Sequence, residues 1–132
     1  MLWSSSMIDH LDHIVLTTKD MEGCIAFYAG LLGMQLETFG EGRMAFKFGT
    51  QKINLHEYGK EFLPKAYLPT PGSLDLCFIA SVPLDQVIAQ LAQRNWPIEA
   101  GPVMRTGAMY KIRSIYLRDP DRNLIEISER SE

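Results

Sequence analysis

The sequence is built twice. Leu11-Asp12-His13-Ile14-Val15-Leu16 opens a first half that passes through a helix and closes on Asn54-Leu55-His56-Glu57; Leu74-Asp75-Leu76-Cys77-Phe78-Ile79 opens a second half that closes on Leu124-Ile125-Glu126-Ile127. Such a chain must pack its two copies against each other, because a half of about 60 residues buries too little apolar surface to be secure by itself. Each half reads βαβββ. In the first, residues 10–17 have the β-branched, apolar content of a buried strand, and Thr17, Thr18 and Asp20 offer capping side chains. Met21, Ile25, Tyr28 and Leu32 then recur at helical spacing up to Gly33, which is placed as a C-cap. Strands follow over 34–38, 44–48 and 53–56.

The second half repeats the order. A strand over 74–80 leads to a helix from Leu84 to about Asn95, whose Val87, Ile88 and Leu91 form the buried face after Pro83. Strands are expected over 98–102, 113–117 and 124–128, with Arg105-Thr106-Gly107-Ala108 as a loop. In the turn Asp119-Pro120-Asp121-Arg122-Asn123, Pro120 fixes φ and Asn123 is the residue expected to take the left-handed conformation. The predicted fold class is α+β, a single domain over 1–132. Module one spans about 8–58, a linker with three prolines about 59–72, and module two about 73–130. The eight strands are expected to form a curved, partly open sheet around a cavity, with the helices outside.

Composition narrows the function classes. At 46% hydrophobic and 22% charged residues the chain reads as an ordinary soluble globular protein, and no apolar run approaches a bilayer-spanning length. The net charge of −3, with Lys and Arg scattered among acids, leaves no footprint for nucleic acid. Met1 to Ser6 does not read as a secretory signal, Met7 is an alternative start, and a cytoplasmic location is expected. Cys24 and Cys77 give no disulfide framework and read as small buried hydrophobes, with a reactive Cys77 facing the cavity as the alternative.

Four metal-competent side chains interrupt these strands. Superposing the openings of the halves places Asp75 on His13, and superposing their closings places Glu126 on His56. Strand alternation sets each of these four, His13, His56, Asp75 and Glu126, opposite the stronger aliphatic set, where an unpaired polar group is costly and a ligand role is economical. Two imidazoles with one or two carboxylates suit one divalent ion, Ni, Co, Zn, Mn or Fe, and leave open positions for water or substrate.

Asp12-His13-Ile14, Phe27-Tyr28 followed by Leu32-Gly33-Met34, and the run from Tyr116 to Glu126 carry a resemblance to the vicinal oxygen chelate superfamily: glyoxalases, thiol transferases, extradiol dioxygenases and bleomycin-binding proteins. The stretch from Phe48 to Glu57 and Arg105-Thr106-Gly107-Ala108 look particularly like a glyoxalase-domain branch that includes virulence-associated bacterial proteins. The resemblance implies paired βαβββ modules around one metal and a homodimer, leaving open whether modules pair within a chain or across the dimer. It implies a lyase or isomerase of lactoylglutathione lyase type, acting on a small substrate with vicinal oxygens such as a glutathione adduct. His13 and Glu126 match the family's ligands; His56 stands where glyoxalase I has Glu, and Asp75 where it has His, so Asp75 is expected to bind weakly or through water. Glu126 is the expected proton carrier. Arg105, Lys60 and Lys65 are candidate holders of a substrate carboxylate, and Tyr116 a candidate hydrogen-bond donor. Two alternatives stand beside this reading: a non-haem Fe(II) dioxygenase on His13, His56 and Glu126, and a ligand-binding module without metal chemistry.

Overall fold

The computed structural model describes residues 6–131; the expectation for the N-terminal start falls largely on 1–5, outside the described residues. The first module consists of β1 (His13–Thr18), α1 (Met21–Ile25) continuing as a π-helical segment (Ala26–Leu31), β2 (Gln35–Phe39), β3 (Arg43–Phe48) and β4 (Gln51–Glu57). The second consists of β5 (Asp75–Ile79), α2 (Leu84–Gln93), β6 (Ala100–Thr106), β7 (Lys111–Arg118) and β8 (Leu124–Arg130). The α+β class and the doubled βαβββ order are those read from the sequence. The eight strands, however, are divided into two four-stranded sheets, ordered β1-β4-β3-β2 and β5-β8-β7-β6. In each, the opening strand pairs parallel with the closing one and the remaining pairs are antiparallel.

Local chemistry sets the element ends. Asp20 caps α1 by accepting from the Gly23 amide at 2.9 Å, and Gly33 stops the helix with a positive φ of 79°. The tight turn after β7 uses Arg122 at φ 72° for its left-handed position. Asn123, the residue expected there, is instead buried and uses its side chain to bond Asp119 and the Leu74 amide. β6 runs through Arg105 and Thr106, read from sequence as loop, and the turn itself closes where the Gly107 amide donates to the Tyr110 carbonyl at 2.8 Å.

The helix-covered faces of both sheets share one core. Leu16, Phe46, Ile53 and Leu55 from the first module join Leu84, Leu91, Ile115, Leu117, Ile125 and Ile127 from the second in one apolar cluster. Phe27 of the π-helical segment packs on Trp96 at 5.2 Å, and Phe48 meets Phe78 edge-on at 5.5 Å. Because strand side chains alternate, the residues between these core positions face away from the shared core on both sheets. Among the described residues no helix is long and apolar enough to cross a membrane.

Candidate functional site

Strand register decides which polar residues are equivalent. Val15 pairs with Asn54 across β1 and β4, and Cys77 pairs with Glu126 across β5 and β8. His13 lies two residues before Val15 and Asp75 two before Cys77, so overlaying the modules places Asn54, and not His56, on Glu126. This corrects the equivalence drawn from the closing sequences, which was out by two residues on the same face. Matching the aliphatic-polar-aliphatic triplets Ile53-Asn54-Leu55 and Ile125-Glu126-Ile127 would have found it.

On the first sheet, then, His13 and Asn54 are diagonal neighbours on the face away from the core. The His13 Nδ1 lies 2.8 Å from Asp12 Oδ1, a contact that orients the ring and leaves Nε2 as the nitrogen for another partner. Asn54 Oδ1 is the one buried side-chain nitrogen or oxygen among the described residues with no hydrogen-bond partner. A buried amide oxygen normally finds a partner, and here the acceptor at the position equivalent to Glu126 has none.

His56 is elsewhere. It pairs with Thr17, four residues beyond His13, which is on the order of 13 Å at ~3.3 Å per residue. Phe62 packs edge-on to its ring at 5.5 Å, and the Arg43 guanidinium covers Phe62 at 4.5 Å. Burial, with Arg43 adding to it and Glu61 opposing, holds the His56 imidazole below its ordinary range, so it stays neutral. This histidine anchors the linker to the sheet, lining a cavity of about 510 Å³ with Pro64, Lys65, Leu68 and Leu74. Lys65 pairs with Glu61 at 3.5 Å and lies over the His56 end of this face, and Lys60 is exposed beyond β4; neither lines a cavity with His13 or Asn54.

The second sheet gathers the other predicted residues. Cys77, Glu126 and Tyr116 form one cross-strand row, with Asp75 diagonal to Glu126. The Arg105 Nε donates to the Tyr116 hydroxyl at 2.9 Å, and these residues except Asp75 line a cavity of about 560 Å³ under the 105–110 turn. Cys77, expected to be a small buried hydrophobe as Cys24 is, is exposed on this face and lines the cavity; partial desolvation, countered by its contact with Ser128 and reinforced by Glu126, still pushes its thiol up. Arg130, not singled out in the sequence, lines the same cavity. A further cavity of about 570 Å³ lies between the helices, with Lys47 its only titratable lining group, and belongs to the seam between modules.

Each sheet therefore offers two oxygen or nitrogen donors at equivalent positions: His13 with Asn54, and Asp75 with Glu126. Among the described residues of one chain, no three His, Cys, Asp or Glu side chains lie close enough together to hold an ion.

The family model described as Glyoxalase/Bleomycin resistance protein/Dioxygenase superfamily matches residues 10–127. The chain belongs to this superfamily. It is 54% identical over 123 residues to virulence protein STM3117 of Salmonella typhimurium, covering 93% of this chain and 85% of that protein. The crystal structure of that relative superposes with a TM-score of 0.92, covering 96% of this chain and all of the other. The glyoxalase domain-containing protein RDO1 of Mycosarcoma maydis is 52% identical over 118 residues, covering 89% of this chain and 66% of that protein. An integron cassette protein from Vibrio cholerae is 49% identical with a TM-score of 0.92, covering 96% of this chain and 98% of the other. The superfamily includes metalloenzymes such as lactoylglutathione lyase, and its members often form dimers.

Proposed function

We propose that this protein is a metal-dependent lyase or isomerase of glyoxalase type, and that its site is completed by two copies of the chain. The observation that carries this reading is the matched pair of half-sites, His13 with Asn54 and Asp75 with Glu126, each on a face turned from the shared core. The donors fit a divalent ion. Asn54 Oδ1 is orphaned, His13 has a nitrogen left over from its Asp12 contact, and two carboxylates supply charge. One imidazole, two carboxylates and one amide oxygen form a harder set than the two-imidazole set first expected, which favours Mn among the candidate ions. Removing His56 from the set also removes the two-histidine geometry on which the dioxygenase alternative depends.

A divalent ion held there would polarise two neighbouring substrate oxygens. The chain's own residues supply the rest. Glu126, in the row with Cys77 and Tyr116, takes a proton from the substrate carbon beside those oxygens and returns it to the neighbouring one. Tyr116, fixed by the Arg105 Nε, is free to donate its hydroxyl proton toward the substrate.

Elemental analysis of the purified protein should give about one divalent ion per chain. His13→Ala and Glu126→Gln should each lose most of it while keeping the fold. Refolding these two variants together then separates the arrangements. If each site draws on two chains, half of the dimers are mixed and each holds one intact site, so about a quarter of the metal and turnover returns. A mixture that regains none places the site within one chain, and full metal in both variants ends the metal reading.

A further inference from the structure

The outward face of the second sheet carries more positive charge than proton transfer requires. Arg105, Ile112 and Arg130 are direct neighbours across β6, β7 and β8, so two arginines flank the buried Ile112 in a single row. That row lies on the face that carries Tyr116 and Glu126, and all five residues line the cavity of about 560 Å³.

Other arginines of this sheet are committed to acids. Arg113 bonds Asp85 at 3.1 Å and Glu129 at 3.2 Å, and Arg118 grips Glu99 with two bonds at 2.9 and 3.1 Å. Arg105 and Arg130 have no such partner: among the described residues no carboxylate comes within ion-pair distance of either. Both are nevertheless held in place by neutral groups. Arg105 donates to the Tyr116 hydroxyl and, at 3.1 Å, to the Met104 carbonyl, while the Arg130 guanidinium sits 4.7 Å from the centre of the Tyr110 ring. The one acid in the cavity lining is Glu126, four residues along β8 from Arg130, on the order of 13 Å away at ~3.3 Å per residue. At that separation in a wet cleft it is largely screened from the arginine. Oriented guanidinium groups with unspent donors and uncompensated charge form a receptor for a carboxylate.

We propose that Arg105 and Arg130 together receive a carboxylate at one end of the substrate while its oxygen-bearing end lies at Glu126. The substrate class is thus a small acid whose carboxylate stands several bonds from the reacting oxygens. This assignment rests on Glu126 marking the reacting end, as proposed above.

A matched pair of probes tests it: 2-oxosuberate and 2-oxooctanoate, eight-carbon 2-oxo acids that differ by one terminal carboxylate. Calorimetric titration of the full chain, with metal content measured on the same sample, should show the dicarboxylate binding at least about tenfold more tightly. The Arg105→Gln/Arg130→Gln double variant should lose that preference. In the unsubstituted protein the Nε–Hε resonances of Arg105 and Arg130 should move with 2-oxosuberate and stay put with 2-oxooctanoate, a readout that does not depend on the variant folding. Equal affinities, no binding of the dicarboxylate, or a preference that survives in the folded double variant overturns the inference. A protein that carries its ion but shows no preference overturns this inference alone, whereas one that keeps the preference without an ion overturns only the metal reading.

Discussion

At the residue scale, Asp119 ties the two halves together. Its buried carboxylate accepts from the Tyr28 hydroxyl of the first module at 2.7 Å, from the Asn123 side chain at 2.8 Å and from the Asn123 amide at 2.9 Å. Asp121 adds a second tie by accepting from the Thr18 hydroxyl and the Lys19 amide. In the sequence Tyr28 reads as one more member of an apolar stripe, because periodicity reports which way a side chain points and says nothing about what its tip will meet. Burial and the Asp119 charge keep that phenol protonated, and burial together with Asp119 and Asp121 pushes the Cys24 thiol up to about 12. Tyr28→Phe keeps the ring stacked on Phe46 at 5.3 Å and deletes only the hydroxyl. It should therefore cost about 1.5–3 kcal/mol, the range for a buried hydrogen bond to a charged group. Urea unfolding should report this as a lower midpoint with an unchanged slope, and a shift too small to measure would mean that the two Asn123 donors suffice for the carboxylate.

At the element scale the most informative strand is β6. Its pairing with β7 shifts between Ala100 and Val103, and Gly101 in this bulge has φ 99°. A Cβ on Gly101 would come within 2.4 Å of the Ser114 carbonyl oxygen, so backbone meets backbone and nothing flexible can yield. The strand expected over 98–102 ended at Pro102 with 105–108 as a loop, whereas the bulge lets β6 continue and carry Arg105 onto the cavity face. Gly101→Ala should cost at least the roughly 1–3 kcal/mol of a residue forced into that backbone region. It should also loosen the Arg105 to Tyr116 contact, which thermal unfolding together with the Arg105 Nε–Hε signal would register. A variant of normal stability would show that β6 can re-register without the bulge. β4 and β8 teach a related lesson. Their existence and their outward faces were legible from alternation, but the two-residue offset between His56 and Asn54 preserves that alternation, so alternation by itself does not choose between them, whereas the matching triplets and the pairing with β1 do.

At the scale of the whole molecule, the doubled βαβββ order was legible because each half repeats both its elements and its apolar faces. How the sheets meet was not, because alternation shows which side chains share a face without showing what that face will pack against. The helix-covered faces turn out to be shared, so the faces bearing the half-sites are left open except where the linker lies over His56, and they display apolar residues among the polar ones. Val15, between His13 and Asn54, is 42% exposed, and Ile79, beyond Cys77, is 52% exposed. If a second copy covers these faces, as proposed, both side chains become buried, and a charge at either would be left there without a partner. Val15→Arg and Ile79→Asp should then each convert a species of twice the chain mass of 15.0 kDa into one of that mass, and lose bound metal in step. Their far-UV spectra should stay native, since neither side chain belongs to the shared core. Sedimentation at matched concentrations decides the matter: variants that stay at the wild-type mass with full metal would mean the open faces are not where the copies meet, and each half-site would need its complement from within its own chain.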